Sequence, residues 1–294
     1  MRNTLSRRSA LRKMAGSAVA MSAAASLSSR LNAADAAADK MKGLINHSVC
    51  KWCYPKVSLE DLCVAGKEIG LHSIELLEVK DFPTLKKHDL VCAMVSGVPG
   101  GIPDGFNRLE NHDKLVDYFE RTAPVVANHG FLNIICFSGN RLGLDDEKGL
   151  ENCAIGLMRV VPIAEKHKVT VCMEMLNSKV DHKGYQCDHT VWGVELVKRV
   201  GSEHFKLLYD IYHMQIMEGD VIRTIRQNQQ YIAHYHTGGV PGRGEIDETQ
   251  ELNYPAIMKA IVETGFKGHV AQEFVPKRPD VLASLKQGVN ICDV

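Results

Sequence analysis

The sequence has few aromatic residues, at 6% of 294 positions, and several familiar signals are missing from it. After the amino-terminal segment, no stretch approaches the roughly 20 strongly apolar residues that a membrane-spanning helix needs, so we expect no membrane anchor there. Neither a Gly-x-Gly-x-x-Gly turn after a strand nor a Walker loop is present, which disfavours a nucleotide-binding sheet. No Pro- or Ser-rich linker interrupts the chain after residue 43, which predicts a single domain.

Charge is balanced over the whole chain but is unevenly distributed along it. Lys and Arg number 35, as do Asp and Glu, yet residues 1–36 hold six of the basic residues and only one acidic residue. The remaining 258 residues therefore carry an excess of five negative charges, without a run of basic residues. A domain with this net negative charge does not attract phosphate backbones, so we expect no nucleic acid partner.

The first 36 residues have the pattern of a targeting segment. The Arg7-Arg8 pair precedes a weakly apolar run of small residues at 14–27, and the small residues at 34–36 suit a signal peptidase. The segment resembles a twin-arginine export signal; the alternative is an alanine-rich tail with no targeting role. We therefore expect a signal at 1–36, a domain at 37–294, and a periplasmic or otherwise exported protein without membrane contact after cleavage.

The nine cysteines all follow the targeting segment, and an odd number cannot be fully paired in disulfides. Cys92, Cys136 and Cys172 sit inside apolar runs, where we expect them to be buried as small apolar side chains. Cys50 and Cys53 have the spacing of redox and zinc sites, but no second pair follows and no thioredoxin-like surroundings are visible. A redox role is therefore disfavoured.

Short apolar runs alternate with longer amphipathic stretches eight times after residue 43. We predict strands at Ile45–Cys50, Ser73–Leu77, Leu90–Val95, Leu132–Phe137, Val169–Met175, Lys206–Tyr209, Tyr231–His236 and His269–Phe274. We predict helices at about 58–69, 82–88, 111–129, 147–167, 188–200, 218–229, 253–265 and 279–291. Continuous apolar strands separated by helices indicate a parallel sheet covered on both faces. Eight such units in about 250 residues predict a closed (β/α)8 TIM barrel; the alternative is an open doubly wound sheet.

Four predicted strands in the second half of the chain end on polar side chains, namely Glu174, Asp210, His236 and Glu273. Alternate strand residues share a face, so each of these side chains lies on the same face as the residue two positions earlier. If that face points inward, two Glu, one Asp and one His converge at the carboxyl mouth of the barrel, where barrel active sites lie.

Three carboxylates that converge in this way repel one another and lose hydration unless a cation lies among them. Three oxygen donors and one imidazole suit Mn²⁺, Mg²⁺, Co²⁺ or Zn²⁺, and the excess of carboxylates favours Mn²⁺ or Mg²⁺. For any one of these residues alone, a salt bridge or a helix cap is the simpler interpretation. Their coincidence at four successive strand ends favours one divalent metal ion.

Several segments of the second half carry a longer and more specific pattern. They are residues 174–177 (EMLN), 209–220 (YDIYHMQIMEGD), His236 with 241–243 (PGR), and 273–274 (EF). These segments strongly resemble the hydroxypyruvate isomerase branch of the xylose isomerase-like TIM barrels. The resemblance extends over most of residues 43–294, although the first half matches only loosely, through residues 70–76.

The resemblance implies that Glu174, Asp210, His236 and Glu273 hold the metal ion and that the two glutamates also transfer protons. It further implies that His213 contacts the substrate. One position departs from the pattern, because hydroxypyruvate isomerases of this kind carry Gln where this chain has His236, whereas ketose 3-epimerases carry His. The substrate therefore stays open.

Three further residues are candidates on the substrate side of the site: His213, Arg243 and Glu75. His213, just beyond a strand, is aimed at the bound oxygen atoms or else caps the following helix. Arg243 lies in a glycine-rich loop, where it either grips a substrate oxygen or is merely solvated. Glu75 either orients the site or neutralises a nearby cation.

A metal ion that binds a carbonyl and the adjacent hydroxyl oxygen stabilises an enediolate. Two glutamates can then exchange protons with neighbouring carbons, which is isomerisation, or with two faces of one carbon, which is epimerisation. From the resemblance to hydroxypyruvate isomerases, we expect Glu174 and Glu273 to interconvert hydroxypyruvate and tartronate semialdehyde. The alternatives are a ketose 3-epimerase or other sugar isomerase, and a protein that binds a sugar acid without turnover. A homo-oligomer is compatible with the sequence.

Overall fold

Seven parallel strands form one sheet in this computed structural model, within residues 41–294, the part of the chain that the structure describes. They are β1 (Asn46–Cys50), β2 (Ser73–Glu75), β3 (Asn133–Cys136), β4 (Thr170–Glu174), β5 (Phe205–Asp210), β6 (Ile232–Thr237) and β7 (His269–Gln272). Their order is β2-β1-β7-β6-β5-β4-β3. The predicted signal at 1–36 lies outside the described residues, and the domain boundary at residue 37 stays a prediction.

Residues 90–95 close the ring between the edge strands β2 and β3. They pair with both edges through isolated parallel bridges, and Val95 bridges to both sides. A continuous ladder is absent because Ala93 donates its N–H to Ser73 Oγ at 2.9 Å and its carbonyl accepts from the Asn133 side chain at 2.9 Å. The third predicted strand is therefore irregular, but the predicted TIM barrel is confirmed and the open sheet is wrong.

Nine α-helices lie among the described residues. They are α1 (Leu59–Ile69), α2 (Phe82–Lys87), α3 (His112–Asn128), α4 (Asp146–His167), α5 (Thr190–Val200), α6 (Ile211–Met217), α7 (Val221–Asn228), α8 (Tyr254–Glu263) and α9 (Val281–Cys292). The sequence did not predict α6, which begins directly after β5. Gly219 and Asp220, with φ of 68° and 46°, separate it from α7, so the helix predicted from residue 218 begins three residues later. None of the described helices is long and apolar enough to cross a membrane.

The inward face predicted from strand alternation is the face that fills the barrel. Met94, Ile135, Cys172 and Leu208 form a buried apolar cluster inside it. Two of these residues share a strand face with the polar strand ends, since Cys172 precedes Glu174 by two positions and Leu208 likewise precedes Asp210. The predicted burial of cysteines is confirmed, because all nine are free and buried. The core therefore ends where the polar cluster begins.

Candidate active site

Four polar side chains meet at the carboxyl mouth of the barrel. Glu174 ends β4, Asp210 ends β5, His236 lies near the end of β6 and Glu273 directly follows β7. Each offers one ligand atom, and these atoms all lie within 4.8 Å of one another, in buried residues. The structure therefore brings together the four residues that the strand ends suggested, while their roles as metal ligands stay a prediction.

The imidazole of His236 is oriented with one nitrogen toward the carboxylates and the other away from them. Its Nδ1 lies 2.5 Å from Glu273 Oε2 and 3.1 Å from Glu174 Oε1. Its Nε2 lies 2.9 Å from Glu75 Oε1. A histidine that binds a metal ion commonly donates its second N–H to a carboxylate in this way, which fixes the ring and directs the other nitrogen at the ion.

Glu75 lies below the cluster and has no exposed surface. Its carboxylate also accepts from His234 Nε2 at 2.7 Å and from Ser48 Oγ at 2.5 Å. Burial raises the pKa of Glu75, but the two histidines outweigh it and lower that pKa to about 2. This placement favours the orienting role over the substrate contact also suggested by the sequence, because both carboxylate oxygens are occupied beneath the cavity.

Arg243 reaches from the loop after β6 into the cluster, and its side chain is only 13% exposed. Its Nη2 donates to Asp210 Oδ2 at 2.7 Å and to Glu273 Oε2, while its Nε donates to the Glu273 carbonyl at 2.9 Å. The guanidinium also lies 4.8 Å from the centre of the Tyr212 ring. Arg243 is therefore a buried positive charge of the site, and its interpretation as a solvated loop residue is wrong.

The two glutamates occupy different electrostatic environments. Burial, followed by the charge of Glu273, raises the pKa of Glu174 to about 7 against the opposing effect of His236. Burial also acts on Glu273, but Arg243 and His236 hold its pKa well below the usual range. Burial raises the pKa of Asp210. Pairs of carboxylates whose environments separate their pKa values are typical of acid–base chemistry.

The cluster opens into a cavity of about 590 Å³, a volume typical of small-molecule sites. Its polar wall comes from the second half of the chain and consists of Glu174, Asp181, His182, His213, Arg243 and Glu273. The rest of its lining, which we call the apolar wall, comes mainly from the first half and consists of Trp52, Leu76, Ser96, Ile102, Ile135 and Phe137, with Leu176. The polar cluster and a mostly apolar surface thus line one cavity.

His213 occupies the first turn of α6 and lines this cavity with 1% of its surface exposed. Asp210, not His213, caps the helix, because the Asp210 side chain accepts from the His213 main-chain N–H at 3.1 Å. The His213 Nε2 lies 3.7 Å from Asp210 Oδ2. The structure therefore places His213 beside the cluster, as its predicted contact with substrate requires.

Three residues at the site were not predicted from the sequence: Trp52, Asn177 and Asp181. Trp52 lies inside the Cys50–Cys53 motif, directly after β1, and its Nε1 donates to Glu273 Oε1 at 2.6 Å. Its position after a strand end was the available signal, since loops at this mouth carry function. Asn177 and Asp181 lie in the irregular loop after β4. Asn177 contacts both His213 Nδ1 and the Asp181 carboxylate through its side-chain amide.

The donor set fits a divalent metal ion. Three carboxylates and one imidazole nitrogen, gathered within 4.8 Å, match the oxygen-rich preference of Mg²⁺ and Mn²⁺ and also accept Co²⁺ or Zn²⁺, provided that the imidazole gives up its Nδ1 hydrogen on binding the ion. The hydrogen bond from His236 Nε2 to Glu75 supports the same interpretation, because it leaves Nδ1 directed at the carboxylates. We conclude that Glu174, Asp210, His236 and Glu273 can hold one such ion.

Comparisons with known proteins agree with this architecture. The family model described as "Xylose isomerase-like TIM barrel" matches residues 67–289. A solved structure of AP endonuclease, family 2, from Brucella melitensis superposes with a TM-score of 0.71 at 25% identity, covering 83% of this chain and 97% of that one. The barrel family predicted from the sequence is thereby confirmed.

Two curated relatives match the chain over shorter stretches. The 2-oxo-tetronate isomerase of Cupriavidus necator is 36% identical over 109 residues, which are 37% of this chain and 41% of that protein. The hydroxypyruvate isomerase of Escherichia coli is 34% identical over 112 residues, which are 38% and 43%. The chain thus spans about two fifths of the length of these relatives, and the predicted resemblance to hydroxypyruvate isomerases is confirmed.

We expect a divalent ion to stabilise the folded protein, because it relieves the repulsion among the three carboxylates. At an ion concentration of 100 times Kd, the free energy of unfolding should rise by about 2.7 kcal/mol. Thermal denaturation with Mn²⁺, with Mg²⁺ and with a chelator measures this effect. Asp210→Asn should reduce this stabilisation. A wild-type Tm that changes with neither the ions nor the chelator would contradict the metal site.

Glu75→Gln should weaken binding of the ion about 10- to 100-fold, because His236 loses a charged acceptor at Nε2. Calorimetric titration with Mn²⁺ measures the change. Glu245→Gln is the matched control, since this buried glutamate accepts from the main-chain N–H groups of Lys277 and Arg278 at 2.8 and 2.9 Å, outside the cluster. Equal affinities of Glu75→Gln and wild type would refute the orienting role.

Proposed function

We propose that this chain, which belongs to the xylose isomerase-like TIM barrel family, is a metal-dependent isomerase of a small hydroxycarbonyl acid or sugar. Interconversion of hydroxypyruvate and tartronate semialdehyde is the first reaction to test. The observation that carries this proposal is the approach of Glu174 and Glu273 within a buried four-residue cluster at the cavity. The names of the curated relatives support the same class of reaction.

The two glutamates are suited to move a proton between carbon atoms. They come from the ends of β4 and β7, which are separated by two strands, so they reach the cavity from different directions. When bound, the divalent ion would supply Lewis-acid polarisation of a carbonyl and its neighbouring hydroxyl. One glutamate then accepts the proton from one carbon, and a glutamate donates a proton to the neighbouring carbon, which completes the isomerisation. Trp52 holds Glu273 Oε1, which leaves Oε2 facing the cluster.

His213 and Arg243 are suited to hold the oxygen atoms of the substrate. Both line the cavity beside the glutamates. Arg243 is the cation that a substrate carboxylate would meet there, and a guanidinium can bind a carboxylate through two parallel hydrogen bonds. A keto acid is therefore compatible with the site if Arg243 turns from the protein carboxylates toward the substrate.

A ketose 3-epimerase is the second candidate. A three-carbon acid fills a small part of a cavity of about 590 Å³ and leaves the apolar wall in contact with water, whereas a longer ketose covers more of it. His236 also agrees with the epimerase pattern. Incubation with hydroxypyruvate and with ketoses in D₂O distinguishes the two reactions, because deuterium enters at different carbons. Binding without any exchange would support a mere binding protein.

A small-molecule substrate is favoured over nucleic acid. Residues 37–294 carry five more acidic than basic residues, and the cavity presents Glu174, Asp181 and Glu273 against the single arginine of its wall. These charges oppose a polyanion. We therefore do not propose for this chain the endonuclease activity that the name of the Brucella structure describes.

Export through a twin-arginine signal is part of the proposal and rests on the sequence of residues 1–36. Replacement of Arg7 and Arg8 by Lys should hold the full-length protein in the cytoplasm, because the signal pair is then altered. Fractionation and immunoblotting in a host with a twin-arginine system measure the outcome. Unchanged export of the double variant would refute the assignment.

Glu174→Gln and Glu273→Gln should each abolish turnover while the fold stays intact. Glutamine keeps the size of the side chain but does not accept the proton. We expect kcat to fall at least 10²-fold, the lower range for loss of a general acid–base group. Circular dichroism shows whether the variants are folded. Near wild-type activity of either variant on a confirmed substrate would contradict the two-glutamate mechanism.

A further inference from the structure

The side-chain amide of Asn177 has only one chemically acceptable orientation. Asn177 is fully buried, and its Oδ1 accepts from the main-chain N–H groups of Val180 at 3.0 Å and Asp181 at 2.9 Å. Its Nδ2 donates to Asp181 Oδ2 at 2.6 Å. Exchanging the two amide atoms would place N–H groups against N–H groups and an oxygen against a carboxylate, so all three contacts fix Nδ2.

The other hydrogen of this amide is available to His213. Asn177 Nδ2 lies 2.6 Å from His213 Nδ1, and both residues are buried. Because Nδ2 can only donate, Nδ1 must be the acceptor and carries no hydrogen. The single ring hydrogen is then on Nε2, the nitrogen that lies toward Asp210.

Arg243 is a competing donor to the same ring. Its Nη1 lies 2.6 Å from His213 Nε2, and a neutral imidazole accepts at one nitrogen only. Nη2 and Nε of the same planar guanidinium donate to Asp210 and Glu273, so Nη1 leaves the ring only when the whole arginine head moves. The arginine side chain is long and rotatable, whereas the short Asn177 side chain is held by its three contacts. We therefore expect the contact from Arg243 to be the one that yields, which leaves Nε2–H to face a group in the cavity.

We propose that Asn177 is a positioning residue that fixes His213 as an Nε2–H donor to a substrate oxygen. The proposal rests on the proposed isomerase function and adds a role to it: His213 donates a hydrogen bond, without giving up its proton, to the oxygen that gains negative charge when a glutamate removes the carbon-bound proton. A neutral imidazole held in one tautomer is an effective donor to such an oxygen. Asp181 and Tyr212 support Asn177, since the Tyr212 hydroxyl donates to Asp181 Oδ2 at 2.9 Å.

Nitrogen-15 NMR of the imidazole rings tests the assignment directly, because a protonated and an unprotonated ring nitrogen have well-separated shifts. The measurement uses the full chain with a chelator and again with Mg²⁺. The His213 signal is identified by its loss in His213→Gln. We expect the hydrogen on Nε2 in both samples, and a hydrogen on Nδ1 would overturn the proposal.

Asn177→Asp is the matched change, because it replaces the donor at His213 Nδ1 by an acceptor of the same shape. We expect the ring hydrogen to move to Nδ1 and kcat to fall about 10²- to 10³-fold, the usual effect of losing one donor to a developing oxyanion, with KM and metal affinity little changed. A variant that keeps the wild-type tautomer and loses the same activity would overturn the positioning role.

The new carboxylate would lie beside Asp181, so a second pair of variants keeps the test decisive. In Asn177→Asp/Asp181→Asn the amide and carboxylate are exchanged, and we expect the reversed tautomer with kcat far below that of Asp181→Asn alone. Equal kcat values for these two proteins would overturn the proposal. Asn152→Asp, at a buried asparagine that donates to the Asn107 carbonyl outside the cavity, controls for burying a charge and should keep the His213 tautomer.

The NMR result separates this inference from the proposed function. A wild-type protein with the hydrogen on Nε2 but no turnover of any hydroxycarbonyl substrate would refute the isomerase and leave the role of Asn177 in fixing the ring. A confirmed isomerase with the hydrogen on Nδ1 would do the reverse.

Discussion

Mutual repulsion of three buried carboxylates is the constraint on which the site depends. Glu174, Asp210 and Glu273 lie within one cluster, and like charges in a poorly hydrated place are costly unless positive charge lies among them. Arg243 and the imidazole of His236 provide part of that compensation from the chain itself. A compact divalent ion would supply the rest of the positive charge. The pKa values of the two glutamates differ because the two side chains share these cations unequally.

The two halves of the chain contribute different parts of the cavity lining. The second half supplies the strand ends that carry the acidic cluster, and parallel pairing holds those ends in register, as between Asp210 and His236. The first half supplies most of the apolar wall of the same cavity. In the proposed function, the strands would position the reacting groups, and the shape of the apolar wall would select among substrates that the same chemistry could process.

Much of this arrangement could be predicted because strand burial and strand ends leave a clear pattern. Apolar runs that stop at Glu174 or Asp210 indicate both the fold and the convergence of polar side chains at one end of the barrel. The irregular segment at 90–95 could not be predicted, since its ladder is interrupted by side-chain hydrogen bonds from distant residues. Asn177 and Trp52 were missed for a related reason: each makes a direct contact with a residue distant in sequence, His213 and Glu273 respectively, and such contacts leave no periodic signal.

Two side chains outside the four-residue cluster contact histidine rings of the site. Glu75 contacts His236 at Nε2, which leaves Nδ1 directed at the carboxylates, and in our proposal Asn177 likewise fixes the ring of His213 through its Nδ1. Anomalous diffraction from crystals grown with Mn²⁺ tests the central claim most directly. We predict one strong peak within about 2.2 Å of oxygen atoms of Glu174, Asp210 and Glu273 and of His236 Nδ1, a usual ligand distance. No peak among these side chains, with Arg243 still lying between the carboxylates, would contradict it.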